Sequence, residues 1–183
     1  VNTKELDLNG FVCPGHVSAI IGSRPYEPIA RDHRIPCIIT GFEPLDIMQA
    51  VLMLVRQVKE GASRVEIQYR RVVKEEGNAK AQDMMNVAFE ACDSEWRGIG
   101  RIPMSGLRIR KDFSNHDAEA ELTISPEPTK EKPGCICGDV LRGIKEPEDC
   151  PLFRSTCTPA DPIGACMVSS EGTCAAHYKY AEA

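Results

Sequence analysis

No C-x2-C pair occurs among the nine cysteines of this 183-residue chain, and no two histidines stand at metal-ligand spacing. Both absences argue against a zinc ribbon or finger, which present paired Cys or Cys/His ligands at tight intervals. Clustered Lys and Arg are also missing. With 22 basic against 27 acidic residues and a formal net charge of −5, nothing marks a polyanion-binding face, so nucleic acid is excluded as the expected partner. The longest apolar stretch, Leu45–Val58, is broken by Gln49, Arg56 and Gln57 and falls short of the roughly 20 residues that span a bilayer. The opening residues VNTKELDLNG contain no basic start, no apolar core and no cleavage site, so export is not expected and the chain reads as cytoplasmic. They also lack an initiator Met, and the chain is expected to be the back part of a longer protein.

What is present begins with an α/β pattern. Phe11–Cys13 reads as a strand end, Pro14-Gly15 as a turn, and His16–Ile21 as the first turns of a helix stopped by Gly22. Ile35–Thr40 is a second strand. Leu45 to about Lys59 is a strong helix, ended by Gly61 and apolar around most of its circumference, hence expected to be buried. Val65, Ile67 and Tyr69 alternate as a third strand. Alternation of strands and helices predicts a mostly parallel, Rossmann-like sheet. Further along, Asn78–Cys92 reads as a helix, Ser94–Glu121 as extended chain with turns and a short strand at Leu107–Ile109, and Asp112–Leu122 as a short helix. SPEPTKEKP, residues 125–133, has three prolines and four charges and reads as an exposed connection. The expected organisation is therefore an α/β domain at 1–124, a linker at 125–133, and a small, irregular or helical cysteine-rich domain at 134–183.

Cysteine usage divides along the same line. Cys13, Cys37 and Cys92 are scattered in mixed segments and are expected to be small buried hydrophobes. The other six form C-x-C-x12-C-x6-C-x8-C-x7-C from Cys135 to Cys174. Without an export signal, metal or redox chemistry explains such a cluster better than a disulfide framework. A [4Fe–4S] cluster takes four thiolates, which leaves two thiols able to cycle between dithiol and disulfide beside it. Structural zinc on four of the six is the alternative. Spacing alone does not say which four are ligands.

Three segments in this order, GFVCPGHVSAIIG (10–22), GFEPLDIMQ (41–49) and the tail ending SSEGTCAAHYKY (169–180), resemble the HypD family of [NiFe]-hydrogenase maturation proteins. The resemblance runs through nearly the whole chain and implies the family's second α/β domain followed by its [4Fe–4S] domain. It implies Cys135, Cys150, Cys157 and Cys174 as cluster ligands and Cys137 with Cys166 as a redox-active pair, as in ferredoxin:thioredoxin reductase. The expected partners are a HypC-type chaperone, a HypE-type cyanide donor and, indirectly, the hydrogenase large subunit. The expected cargo is a transient Fe(CN)2CO unit. The family motifs that anchor that iron, C-G-x-H-x-H and G-P-G-C-P-V-C, do not occur in this sequence and belong to the family's first domain. A redox-active assembly scaffold is expected rather than a conventional turnover enzyme. The rivals are a [4Fe–4S] thiol–disulfide oxidoreductase unrelated to hydrogenase and a zinc-stabilised binding module.

Four further residues are candidates. His16 stands at a βα turn, where open α/β sheets place ligands. Glu43 and Asp46 stand at the next such turn, where they either cap the Leu45 helix or line a cleft. Glu171, three residues before Cys174, is placed by the resemblance to exchange a proton or hydrogen bond with a metal-site thiol. His33, His116 and His177 read as surface or locally bonded.

Overall fold

The computed structural model describes residues 8–122 and 132–181. They divide into two compact units, Leu8–Ala88 and the described residues from Phe89 onward. Residues 125–131 of the expected connection lie outside the described residues.

The first unit is α/β. Three strands, β1 (Phe11–Pro14), β2 (Cys37–Thr40) and β3 (Val65–Ile67), form a parallel sheet in the order β1-β2-β3, with Cys13 opposite Ile39 and Cys37 opposite Val65. Helices α1 (Gly15–Ile21) and α2 (Glu27–His33) connect β1 to β2, and α3 (Pro44–Glu60) connects β2 to β3. The expected strands and the α1 and α3 helices are present; α2 was not anticipated. Helix α4 (Ala79–Ala88) closes the unit and meets α1. Central strand β2 is buried throughout, as a parallel strand covered on both faces should be. One face carries Cys13, Cys37, Ile39 and Val73 against Phe11, Tyr26 and Tyr69. Cys13 and Cys37 are free thiols, and the side-chain hydrogen bond with Cys37, together with burial, holds Cys13 well above an ordinary thiol pKa.

Helix α3 departs from expectation. Its core side consists of Asp46, Ala50 and Gln57, whereas Leu45, Met48, Leu52 and Val55, with Phe42 just before the helix, face outward. Two polar anchors decide the orientation. Gln57 accepts from the Arg64 amide at 2.7 Å and donates to Glu66 at 2.6 Å, and Asp46 is bound at the other end by Gln68 and Arg71. Ala50, with no exposed surface, lets the helix lie close to the sheet. Gly61 ends the helix at φ 65°, in the left-handed region that only glycine enters cheaply.

The second unit opens with an antiparallel hairpin, β4 (Phe89–Trp96) and β5 (Gly100–Ile109). This corrects the reading of a helix running through Cys92 and of a strand confined to Leu107–Ile109. The helix stops at Ala88 because, from Phe89, partly buried and exposed positions alternate with period two. The register shifts between Cys92 and Ser94, where Asp93 accepts from the Met104 amide at 3.0 Å and pairs with Arg101. Two short 3-10 turns within Lys111–His116, joined at a kink at Phe113, and the short helix α5 (Ala118–Glu121), capped by Asp117, replace the one short helix expected at 112–122. The tail holds α6 (Cys137–Leu141), α7 (Ala165–Val168) and α8 (Thr173–Tyr180), joined by turns. Among the described residues no helix is long and apolar enough to cross a membrane.

Candidate functional site

The six tail cysteines are delivered to one core by different local devices. A turn at Gly134 places Cys135, whose amide bonds to the Lys132 carbonyl at 3.1 Å, and Cys137 opens α6. Cys150 ends the 3-10 turn Pro147–Asp149, which is fixed by reciprocal bonds between Glu146 and Asp149. Arg154, at φ 58°, folds the chain back so that the Cys157 amide reaches the Leu152 carbonyl at 2.8 Å. Gly164 precedes α7, which carries Cys166, and Gly172 precedes α8, which carries Cys174.

Cys137, Cys157, Cys166 and Cys174 are buried with Val140, Met167 and Ala175, and Cys135 packs against them from a half-buried position. Cys166 lies between two neighbours: its amide donates to the Cys137 sulfur at 3.3 Å, and its sulfur is 3.0 Å from that of Cys174. The Ile163 amide donates to the Cys157 sulfur at 3.3 Å, and Cys150, also half-buried, reaches the Gly134 carbonyl at 3.8 Å. Cys135 and Cys174 each feel the charge of Cys137, Cys150 and Cys157, so all six sulfurs share one electrostatic neighbourhood.

Burial raises the pKa of four of the tail thiols. Cys137 is pushed up to about 11 and Cys166 to about 12, and Cys135 and Cys174 also move upward, in each case chiefly through desolvation. As free thiols these groups stay protonated at neutral pH. A cationic metal centre reverses the balance by stabilising thiolates, so its insertion would release protons.

The donor set fits an iron–sulfur cluster. Thiolates are its usual ligands, and amide groups aimed at sulfur are the bonds that tune such a centre. A mononuclear tetrahedral zinc would draw four sulfurs to about 3.8 Å from one another, as follows from a Zn–S distance of roughly 2.3 Å. Among the described residues no three His, Cys, Asp or Glu groups converge in a way that would hold a single ion.

Glycine lets backbone approach the sulfurs from several sides. A Cβ on Gly164 would stand 2.9 Å from the Cys135 sulfur and 3.4 Å from that of Cys137, and one on Gly98 would stand 3.5 Å from the Cys137 sulfur. Gly98 is at the tip of the β4–β5 hairpin, next to Arg97, whose guanidinium donates to the Ile163 carbonyl at 3.0 Å. Sequence reasoning missed this contribution, because no spacing links residue 97 to residue 137. Glu171 is exposed, its amide bonded to Ser169 Oγ at 3.2 Å. His177 pairs locally with Glu148.

In the first unit, the carboxyl edge of the sheet gathers the other candidates. His16 is exposed, with its ring 5.1 Å from that of Phe42. Asp46, its side chain 5% exposed, is gripped by Arg71 at 2.6 and 2.9 Å and by Gln68 at 2.9 Å. The Arg71 guanidinium, then the Gln68 amide and the Glu43 backbone amide, hold the Asp46 carboxyl below the usual carboxylate range. Asp46 is thus committed to a structural pair. Glu43 precedes the helix without a side-chain cap and sits 3.6 Å from Arg71, which stacks over Tyr69. Arg71 and Gln68 escaped sequence reasoning, since they follow a strand 22 or more residues beyond their partner.

Comparison with known proteins gives the family of the chain. The family model described as HypD, hydrogenase formation hypA family, matches residues 1–181. The hydrogenase maturation factor HypD of Cupriavidus necator is 52% identical over 174 residues, covering 94% of this chain and 46% of that protein. HypD of Escherichia coli is 47% identical over 176 residues, covering 94% and 47%. A putative hydrogenase expression/formation protein of Methanocaldococcus jannaschii is 44% identical over 173 residues, covering 94% and 48%. The chain spans about half the length of the curated relatives it matches. With the family model covering nearly every residue, the chain belongs to the HypD family.

Proposed function

We propose that this chain serves [NiFe]-hydrogenase maturation in the cytoplasm, as the part of a scaffold that supplies reducing power while an Fe(CN)2CO unit is assembled and passed on. The observation that carries this is the gathering of six cysteines in the tail, four of them buried in one small core and two half-buried. Cys135, Cys150, Cys157 and Cys174 hold a [4Fe–4S] cluster, which when bound supplies one-electron transfer. Cys137 and Cys166 form the adjacent pair, in contact through the Cys166 amide and the Cys137 sulfur at 3.3 Å. Reduction of their disulfide takes two electrons and two protons and returns two thiols, which pass reducing power on by exchange. The iron unit itself is cargo, held in the whole scaffold by cysteines outside this chain's motifs. A HypC-type chaperone completes that scaffold, a HypE-type protein donates cyanide, and the hydrogenase large subunit receives the product. Of the remaining candidates, His16 and Glu43 are exposed in the first unit, where Asp46 keeps Arg71 and the turn in place, and Glu171 is exposed in the second.

Mild oxidation of the anaerobically prepared chain, followed by alkylation and peptide mass mapping, tests the pair. A Cys137–Cys166 disulfide is expected. A Cys166–Cys174 disulfide, which the 3.0 Å sulfur separation also allows, would reassign both the pair and the ligand set.

A further inference from the structure

Cys150 is half-buried, and the one hydrogen bond of its sulfur among the described residues is a long one, to the Gly134 carbonyl at 3.8 Å. Its placement therefore depends on the 3-10 turn Pro147–Asp149 that it ends. Each residue of that turn is tied down in a different way. Pro147 is fully buried, Asp149 accepts from the Glu146 amide at 3.1 Å, and Glu148 reaches across to His177 on α8. A carboxylate accepts, so the His177 ring donates to it through Nε2. His177 stands three residues after Cys174, one turn along the same helix, and Cys174 is 5% exposed. The two segments meet again just beyond Cys150. Phe153 lies edge-on to the His177 ring at 6.0 Å, and Arg154 donates to the Ala181 carbonyl past the end of α8 at 3.1 Å. Neither Glu148 nor His177 belongs to the buried cysteine core, and as a partly exposed pair they add little to folding.

We infer that Glu148 and His177 are positioning residues for the cluster: their pairing straps the turn that ends in Cys150 to the helix that carries Cys174, and so fixes the spacing of two ligands. The inference rests on the reading of Cys150 and Cys174 as ligands and adds what holds them in register. The pair acts through the two cysteines and binds no iron itself. Groups that orient metal ligands from outside the ligand set commonly change metal affinity by about 10–100-fold when they are removed.

The test follows iron release from the anaerobically prepared chain to a ferrous chelator, beside the EPR spectrum of the dithionite-reduced protein and the urea midpoint of the metal-free chain. Glu148→Ala and His177→Ala are each expected to release iron about tenfold faster and to shift the g values of the reduced cluster, with the metal-free midpoint unchanged. Because the two side chains work as one pair, the double variant should release iron no faster than either single one. Exchanging them, Glu148→His with His177→Glu, should return the rate and the spectrum toward wild type. Single effects that multiply in the double variant, or faster release that only tracks a lowered midpoint, would mean that each residue merely supports its own segment, and would overturn the inference. A wild-type chain that holds no iron would remove the cluster reading first. A chain that holds its cluster while both single variants release iron at the wild-type rate would remove the strap alone.

Discussion

Gly164→Ala isolates the packing of the cysteine core, because the site is crowded while the backbone is not strained. Gly164 has φ −88° and ψ 154°, which alanine adopts freely, so any cost is steric. The added methyl would stand 2.9 Å from the Cys135 sulfur, 3.0 Å from Cys137 Cβ and 3.4 Å from the Cys137 sulfur. Two cysteine side chains must move, and overpacking of this kind costs about 1–3 kcal/mol. At a urea slope of about 2 kcal/mol per molar, the unfolding midpoint should fall by roughly 1 M. The variant should also take up less iron on anaerobic reconstitution. Gly61→Ala is the control: nothing lies within 4 Å of its Cβ, but its φ of 65° costs about 1–2 kcal/mol of backbone strain. It should lose stability without loss of iron. A Gly164→Ala protein with wild-type midpoint and iron content would show that the sulfurs are not packed around this glycine.

Three other outcomes follow from the packing. Asp46 has its pKa depressed in the folded state by Arg71 and Gln68, so its contribution to stability is fully present above the unfolded value near 4 and is lost as pH falls through the folded value. Asp46→Asn should therefore be less stable than wild type at pH 7, with the two thermal midpoints converging toward pH 3. The outward face of α3 should bind an apolar dye. Leu45→Lys with Met48→Lys should cut that emission while changing stability within about 0.5 kcal/mol per site, since both side chains are about two-thirds exposed. Met167, 1% exposed among Cys137, Cys166 and Cys174, should cost about 2–5 kcal/mol as Met167→Ala in chemical denaturation.

Local chemistry made part of this molecule legible in its sequence. The βα turn at Pro14-Gly15, the stop at Gly61 and the alternation at Val65–Ile67 report the conformation of a few neighbouring residues, and each appears in the structure. The tail cysteines announced themselves by their number and clustering. What escaped depends on partners distant in the chain. The apolar circumference of α3 suggested burial, but Asp46 and Gln57 find hydrogen-bonding partners on the sheet side and turn that side inward. The β4–β5 hairpin carries Pro103, Gly106 and an irregular register, which hide the two-residue period behind turn-like composition. Arg97 reaches the Ile163 carbonyl, next to Gly164, only because that hairpin folds, so no tail motif points to it.

The metal content of the chain tests the cluster assignment most directly. Prepared anaerobically and assayed for iron and acid-labile sulfide, with an EPR spectrum after dithionite reduction, it is predicted to hold about four of each and to give a reduced-cubane signal. Cys150→Ala and Cys157→Ala should abolish that signal and Cys137→Ala should keep it. Zinc at one per chain, a folded chain without metal, or loss of the cluster on Cys137→Ala would contradict the assignment.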